Sequence, residues 1–300
     1  MTVEAARPGA WSRGEDVDDA QDIAARGFLR RLLDARLSGV GLGILLALLL
    51  CAATADLIAP YDPLKQDLYD SFAPPSAAHL LGTDDLGRDL LSRIIYGSRI
   101  SLQAGVVSVG IALCSGVALG LLAGYAGGLV DQVVMRLMDM VLAFPTLVLA
   151  LAITAALGPN LTNALIAIGI VSMPSFARLA RAQTLGLRDI EFVEAARALG
   201  ASPLRIVGRH ILPSISAPLI VQASLSVAGA ILAEASLSFL GLGTKPPAPA
   251  WGSMVSLGRG FLAMAPWIVF APGAAIFLAV MGFNFLGDAL RDWLDPRARG

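Results

Sequence analysis

Six stretches of mostly apolar residues, each long enough to cross a lipid bilayer as a helix, constrain this chain more than anything else in it. A hydrocarbon core about 30 Å thick takes roughly 20 apolar residues per helical crossing. A helix satisfies its own backbone hydrogen bonds there, which lipid cannot do for it. The stretches cover residues 38–59, 100–125, 133–157, 161–177, 217–242 and 264–286, each bounded by Gly, Pro or charge. They predict an all-α fold, a polytopic membrane protein with six transmembrane helices. Pro145, Pro174 and Pro272 fall inside three of them and are expected to be tolerated, because packed neighbours can satisfy the freed carbonyls.

The chain is 56% hydrophobic and 15% charged, against about 25% charged in soluble domains. A net charge of −1 argues against a nucleic-acid partner, whose phosphates would call for an excess of Lys and Arg. Cys51 and Cys114 lie inside apolar runs and read as small core hydrophobes, and no metal-binding spacing is present. Residues 1–37 form a polar tail, acidic and then basic, whose early part suits a disordered leader. The run that follows outlasts the core of a signal peptide and reads as an uncleaved first span. Gly116, Gly120 and Gly124 make a small-residue stripe suited to close helix packing.

Lys and Arg counts set the orientation. With a cytoplasmic amino terminus, fifteen fall inside and six outside, which obeys the positive-inside rule. Both tails, 1–37 and 292–300, are then cytoplasmic, residues 60–99 form an external segment, and 100–291 form the core with an internal loop at about 186–216.

That loop contains EAARALGASPLRIVGRHILP, Glu194 to Pro213, a charged helix-forming island between two apolar runs. Asp189 is placed to cap a helix running to Ala198 or Leu199. Gly200 suits the left-handed residue past its end, and Ser202 with Pro203 opens a second helix. Two short helices joined by a tight turn are expected. The small side chains of Ala195 and Ala196 let that face press into a groove on another protein, with Glu194 and arginines at the rim. The chain's only lysines, Lys65 and Lys245, are followed by Gln and Pro, so no Gly-Lys-Ser/Thr phosphate loop exists. With no His pair at metal spacing and no Gly-x-Ser-x-Gly turn either, no catalytic or metal-binding residue is assigned.

Glu194, Ala195, Ala196, Gly200, Leu212 and Pro213 stand at the spacing of the E-A-A motif, and the island resembles that of membrane subunits of ATP-driven, binding-protein-dependent importers. His210 departs from the motif, where an aliphatic residue is usual. LGTDDLGRDLLSRIIYGSRISL, Leu81 to Leu102, and EASLSFLGLG, Glu234 to Gly243, are similar to the dipeptide, oligopeptide and nickel importer permeases, specifically their C-type subunit. The resemblance implies a type I ABC importer permease-like bundle in a bacterial inner membrane. It also implies a homologous B-type permease as heterodimer partner, two ABC ATPase subunits on the cytoplasmic face and an external solute-binding protein. No cofactor is then bound by this chain, ATP and Mg2+ belonging to the ATPase subunits. The docking point for those subunits would be Glu194, Ala195, Ala196, Gly200, Ser202, Pro203, Leu212 and Pro213.

Two further groups stay open. A helix capped by Thr83 or Asp84 is expected to lie along the outer membrane surface, carrying Leu90, Leu91, Ile94 and Ile95 on one face. Asp84, Asp85, Arg88 and Asp89 on it either dock the binding protein or only anchor the first spans. Glu234, deep in the fifth span, either faces the translocation path or bonds a neighbouring helix through Ser236 or Ser238. Arg136 and Asp139 stand three apart and are expected to pair. An ion-coupled secondary transporter using Glu234 and Asp139 is the alternative function.

Overall fold

The structure is a computed structural model and describes residues 36–294; apart from a few residues, the two polar tails lie outside them. Most of the described residues are helical, and none of them forms a strand beyond one isolated bridge. We number the principal helices α1 (Arg36–Ala53), α2 (Leu90–Ala126), α3 (Gly128–Leu142), α4 (Thr146–Leu157), α5 (Leu161–Leu187), α6 (Glu191–Ala198), α7 (Pro203–Ile206), α8 (Ser216–Phe239), α9 (Trp251–Gly258) and α10 (Trp267–Leu294).

Four helices, α2, α5, α8 and α10, are long and apolar enough to cross a membrane, and α1 is a shorter apolar helix. The expected third span is corrected. It is two helices, α3 and α4, bent by 92° across residues 143–145. Pro145 has no N–H to continue α3 and bars its predecessor from helical dihedrals, and unlike Pro174 and Pro272 it is exposed. Pro174 and Pro272 are buried inside the unbroken α5 and α10, as expected.

A second correction concerns the external helix. Leu90 to Ile95 do not form a separate surface helix but the first turns of α2, which runs unbroken for 37 residues. Asp89, not Thr83 or Asp84, is its N-cap, accepting from Ser92 N–H.

α2 packs along α5, and the glycine stripe sets how closely. A methyl on Gly116 would sit 2.6 Å from the Met173 carbonyl oxygen, and one on Gly124 would sit 2.7 Å from Thr184 Cβ. Small residues therefore do the packing work expected of them. Ser108 Oγ adds a bond to the Leu165 carbonyl at 3.0 Å. One apolar cluster, with Val117, Leu121, Ile168 and Phe176, fills this seam. A second, with Leu90, Ile231, Trp251, Met254 and Ile268, joins α2, α8, α9 and α10.

Candidate functional site

The island folds as two helices and a tight turn. α6 ends in a Schellman closure, with Gly200 N–H bonded to the Arg197 carbonyl at 3.0 Å and Ala201 N–H to that of Ala196 at 3.1 Å. Gly200 has φ +78°, which a side chain resists and glycine does not. Ser202 Oγ then accepts from Arg205 N–H, and Pro203 occupies the first turn of α7. The chain continues through a π turn (Val207–Ile211) and a helical turn (Leu212–Ser214) to a break at Ile215, after which α8 begins. One expectation fails: Asp189 does not cap α6. Ile190 holds that position without a side-chain bond, and Asp189 accepts from Arg188 Nε at 3.1 Å instead.

Val193, Ile206, Ile211 and Ile215 are fully buried in the α2–α5 cluster. They fix both short helices to the long ones. Glu194 and Ala195 are exposed, while Ala196 is half-buried against that cluster, so only part of the small-residue face is free. Ser202, Pro203, Leu212 and Pro213 are exposed as well. Missed at first were Leu199 and Leu204, 88% and 84% exposed on either side of the turn. Two large apolar residues flanking a Gly-x-Ser turn in a polar loop were the available signal. His210 is half-buried with its ring 6.4 Å from that of Phe192, and the neighbouring Ile211 supplies the buried aliphatic contact.

Polar bonds tie the island to the bundle. Arg197 Nη2 donates to the Arg188 carbonyl and Arg188 Nη1 donates to that of Gly124, both at 3.3 Å. Arg181 of α5 holds Asp131 of α3 through two bonds. Asp139 does not pair with Arg136 but with Arg178 at 2.6 Å, because α3 lies across α5 and brings the two helices' charges together.

In residues 60–99, Asp84, Arg88 and Asp89 are buried, and among these four charges only Asp85 is partly exposed. Asp84 accepts from Leu86 N–H, Arg88 N–H and Arg88 Nε. Asp89 takes Ser92 N–H and Oγ, and faces His79 Nδ1 at 3.0 Å. Arg93 Nη1 reaches the Pro63 carbonyl at 2.9 Å and that of Pro247 at 3.4 Å. Trp251 and Trp267 donate their indole N–H groups to the carbonyls of Ile94 and Thr83. The segment is thus a hydrogen-bonded block sewn to the start of α2.

Glu234 is 1% exposed. It accepts from Ser238 Oγ at 2.6 Å, and that oxygen in turn accepts from Thr244 N–H at 3.0 Å. The bond uses Ser238, one of the two serines named for it, but lies within α8 and continues into the following loop and does not reach a neighbouring helix. Between the α3–α4 break, α5 and α8 opens a groove of about 420 Å3 that Glu234 does not line.

Residues 116–300 match the family described as binding-protein-dependent transport system inner membrane component. Residues 25–75 match the N-terminal transmembrane domain of oligopeptide transport permease C. The dipeptide transport system permease protein DppC of Alkalihalophilus pseudofirmus is 48% identical over 270 residues, covering 90% of this chain and 89% of that protein. The probable D,D-dipeptide transport system permease protein DdpC of Escherichia coli is 48% identical over 257 residues, 86% of each chain. The glutathione transport system permease protein GsiD of Pectobacterium atrosepticum is 44% identical over 276 residues, 91% of each. In fold, the chain resembles a solved inward-facing MetNI methionine ABC transporter chain, with TM-score 0.54 and 19% identity over 67% of this chain and 96% of that one. The chain belongs to the binding-protein-dependent transport system inner membrane component family. That membership removes the ground for an ion-coupled secondary transporter.

Proposed function

We propose that the chain is one of two permease subunits of an ATP-driven importer for dipeptides and short oligopeptides in a bacterial inner membrane. A homologous B-type permease completes the pathway. Two ATPase subunits, which carry ATP and Mg2+, dock on the island from the cytoplasm, where both termini also lie. An external binding protein delivers cargo. The names of the relatives support the cargo class, and the arginine distribution supports the orientation.

The observation that carries this reading is the build of the island. It is closed by the Gly200 turn, anchored by four buried aliphatic residues, joined to α8 through the single buried turn residue Ile215, and it exposes Leu199 and Leu204. A lever needs a stiff shaft and a free tip. When the ATPases close, the tip moves with them and the shaft carries α5 and α8 as rigid bodies. Glu194 and Ala195 lie beside the tip, and Ser202 and Pro203 set the angle of its second arm.

The assay is uptake by the complete complex in proteoliposomes. Leu204→Arg and Glu194→Lys are expected to leave the complex in the membrane and ATP hydrolysis measurable, but to abolish its stimulation by loaded binding protein and most uptake. Wild-type coupled uptake in both variants would refute docking at the island.

A further inference from the structure

Arg136 is the charge that the fold leaves over. Arg178 takes the Asp139 carboxylate, and Arg136 is exposed and makes no ion pair or hydrogen bond among the described residues. It stands mid-way along α3, whose outward surface is split lengthwise. Gln132, Arg136 and Asp139, at i, i+4 and i+7, form a polar stripe, and Leu129, Val133, Leu137 and Met140, at i, i+4, i+8 and i+11, form an apolar stripe beside it. The four apolar side chains are 50–74% exposed, while Val134 and Met138 on the opposite side are buried. A cleft of about 560 Å3, lined by α3 alone, takes in both stripes.

This helix lies across the bundle. Asp131 and Asp139, about 12 Å apart along α3, bond Arg181 and Arg178, about 4.5 Å apart along α5. α3 therefore crosses α5 steeply, and it meets α4 at 92°. α4 has 12 residues and rises about 18 Å, and a helix lying crosswise at its foot adds about 10 Å of its own thickness. Together they come close to a hydrocarbon core of about 30 Å. α4 thus reaches most of the way through the bilayer, and α3 closes the remainder along one boundary. Gly127 and Gly128, at φ +64° and +54°, turn the chain from the end of α2 straight into α3.

We propose that α3 is an amphipathic helix lying in the cytoplasmic boundary of the membrane, and that Arg136 and Gln132 hold the phosphate of an anionic phospholipid whose chains lie on the apolar stripe. The choice of side rests on the orientation proposed above. A headgroup boundary accepts both stripes at once, the apolar one towards acyl chains and the polar one towards water. A bilayer-crossing pose would leave Arg136 in hydrocarbon, which is costly. A partner helix would have to bring its own counter-charge for Arg136 into an otherwise apolar contact. The guanidinium offers a phosphate a planar fork of N–H donors, and the Gln132 carboxamide adds another. Asp139, the carboxylate of the same cleft, is neutralised by Arg178 at 2.6 Å and does not compete.

The test uses the full complex in nanodiscs, with Cys51→Ala/Cys114→Ala in this chain and cysteine-free partner subunits. A spin label is placed by Gln132→Cys or Val133→Cys, both exposed positions. Collision with a water-soluble nickel chelate is expected to dominate at 132, and collision with lipid-soluble oxygen at 133. Oxygen dominating at both positions would make α3 a crossing segment, and weak collision with either reagent at both would place a protein partner there; each result overturns the proposal. For the lipid, a bimane on Val133→Cys is quenched by 5-doxyl phosphatidylglycerol or 5-doxyl phosphatidylcholine at equal mole fraction. The preference for phosphatidylglycerol is expected to fall about fivefold in Arg136→Gln, the worth of one arginine near an anionic surface. An unchanged preference overturns the headgroup assignment. A membrane-impermeant maleimide that reaches Gln132→Cys only from the outside of sealed right-side-out vesicles would instead sink the orientation reading.

Discussion

Gly120 offers the most direct test of how the bundle is held. A methyl group there would meet the Ala177 carbonyl oxygen and lie 2.8 Å from Ala180 Cβ. Carbon atoms prefer about 3.5–4.0 Å, so Gly120→Ala forces α2 and α5 apart locally by roughly 1 Å. The obstacles are backbone and a Cβ, neither of which can swing aside. Overpacking of this kind costs about 1–3 kcal/mol, or roughly five- to 150-fold in folded population. Gly110 lies on the same helix, and a methyl there would have nothing within 4 Å. Gly110→Ala is therefore expected to be neutral or to stabilise by up to about 1 kcal/mol. Unfolding by SDS in mixed micelles, followed by the fluorescence of the four tryptophans, of which Trp251 is buried, separates the two. Ala180→Gly added to Gly120→Ala should recover part of the loss, the Ala177 carbonyl remaining in the way. Equal unfolding midpoints for Gly120→Ala and Gly110→Ala would show that the stripe does not set the helix spacing.

Gly200→Val places a β-branched residue at φ +78°, costing about 1–2 kcal/mol, and is expected to lower coupled uptake while Gly200→Asn is nearly silent. Arg181→Met is expected to loosen α3 from α5 by about 1 kcal/mol or less, since Arg181 is a third exposed. A double-mutant cycle with Asp131→Leu should recover that coupling. Asp89→Ala removes the α2 cap and the bonds to Ser92, costing about 1–2 kcal/mol, and limited proteolysis should then cut residues 60–89 faster. Glu234→Gln keeps an acceptor for Ser238 and is expected to transport normally, whereas complete loss of transport with normal abundance would give Glu234 a chemical role.

Much of this architecture could be read from hydrophobicity, because a helix in lipid must be apolar along its length. The 143–145 break could not. Pro145 and Pro174 look alike in sequence, yet Pro174 is enclosed by neighbours and Pro145 is not, so the outcome depended on packing that only the assembled bundle defines. The island's turn was legible because Gly200, Ser202 and Pro203 each specify a backbone conformation locally. Its N-cap was misread because Asp189 has an arginine beside it that competes for the carboxylate. The external cluster of Asp84, Arg88 and Asp89 looked like a charged surface. Its own partners are local, but the block around it is closed by bonds such as that from the Trp267 indole to the Thr83 carbonyl, 184 positions apart, which no local pattern reveals.

Those distant partners have a consequence for how the protein is made. Arg93 bonds a carbonyl 154 residues further along, and the Trp251 and Trp267 indoles close on carbonyls 157 and 184 residues before them. At about 5–20 residues per second of synthesis, the external block waits roughly 10–40 s for its last stitches. A ribosome that stalls after α8 therefore leaves a chain already threaded through the bilayer with Arg93 lacking one of its carbonyls and Ile94 and Thr83 without their indole donors. Such a half-made chain holds the block at the start of α2 with its last hydrogen bonds unmade, and only the completed one closes them.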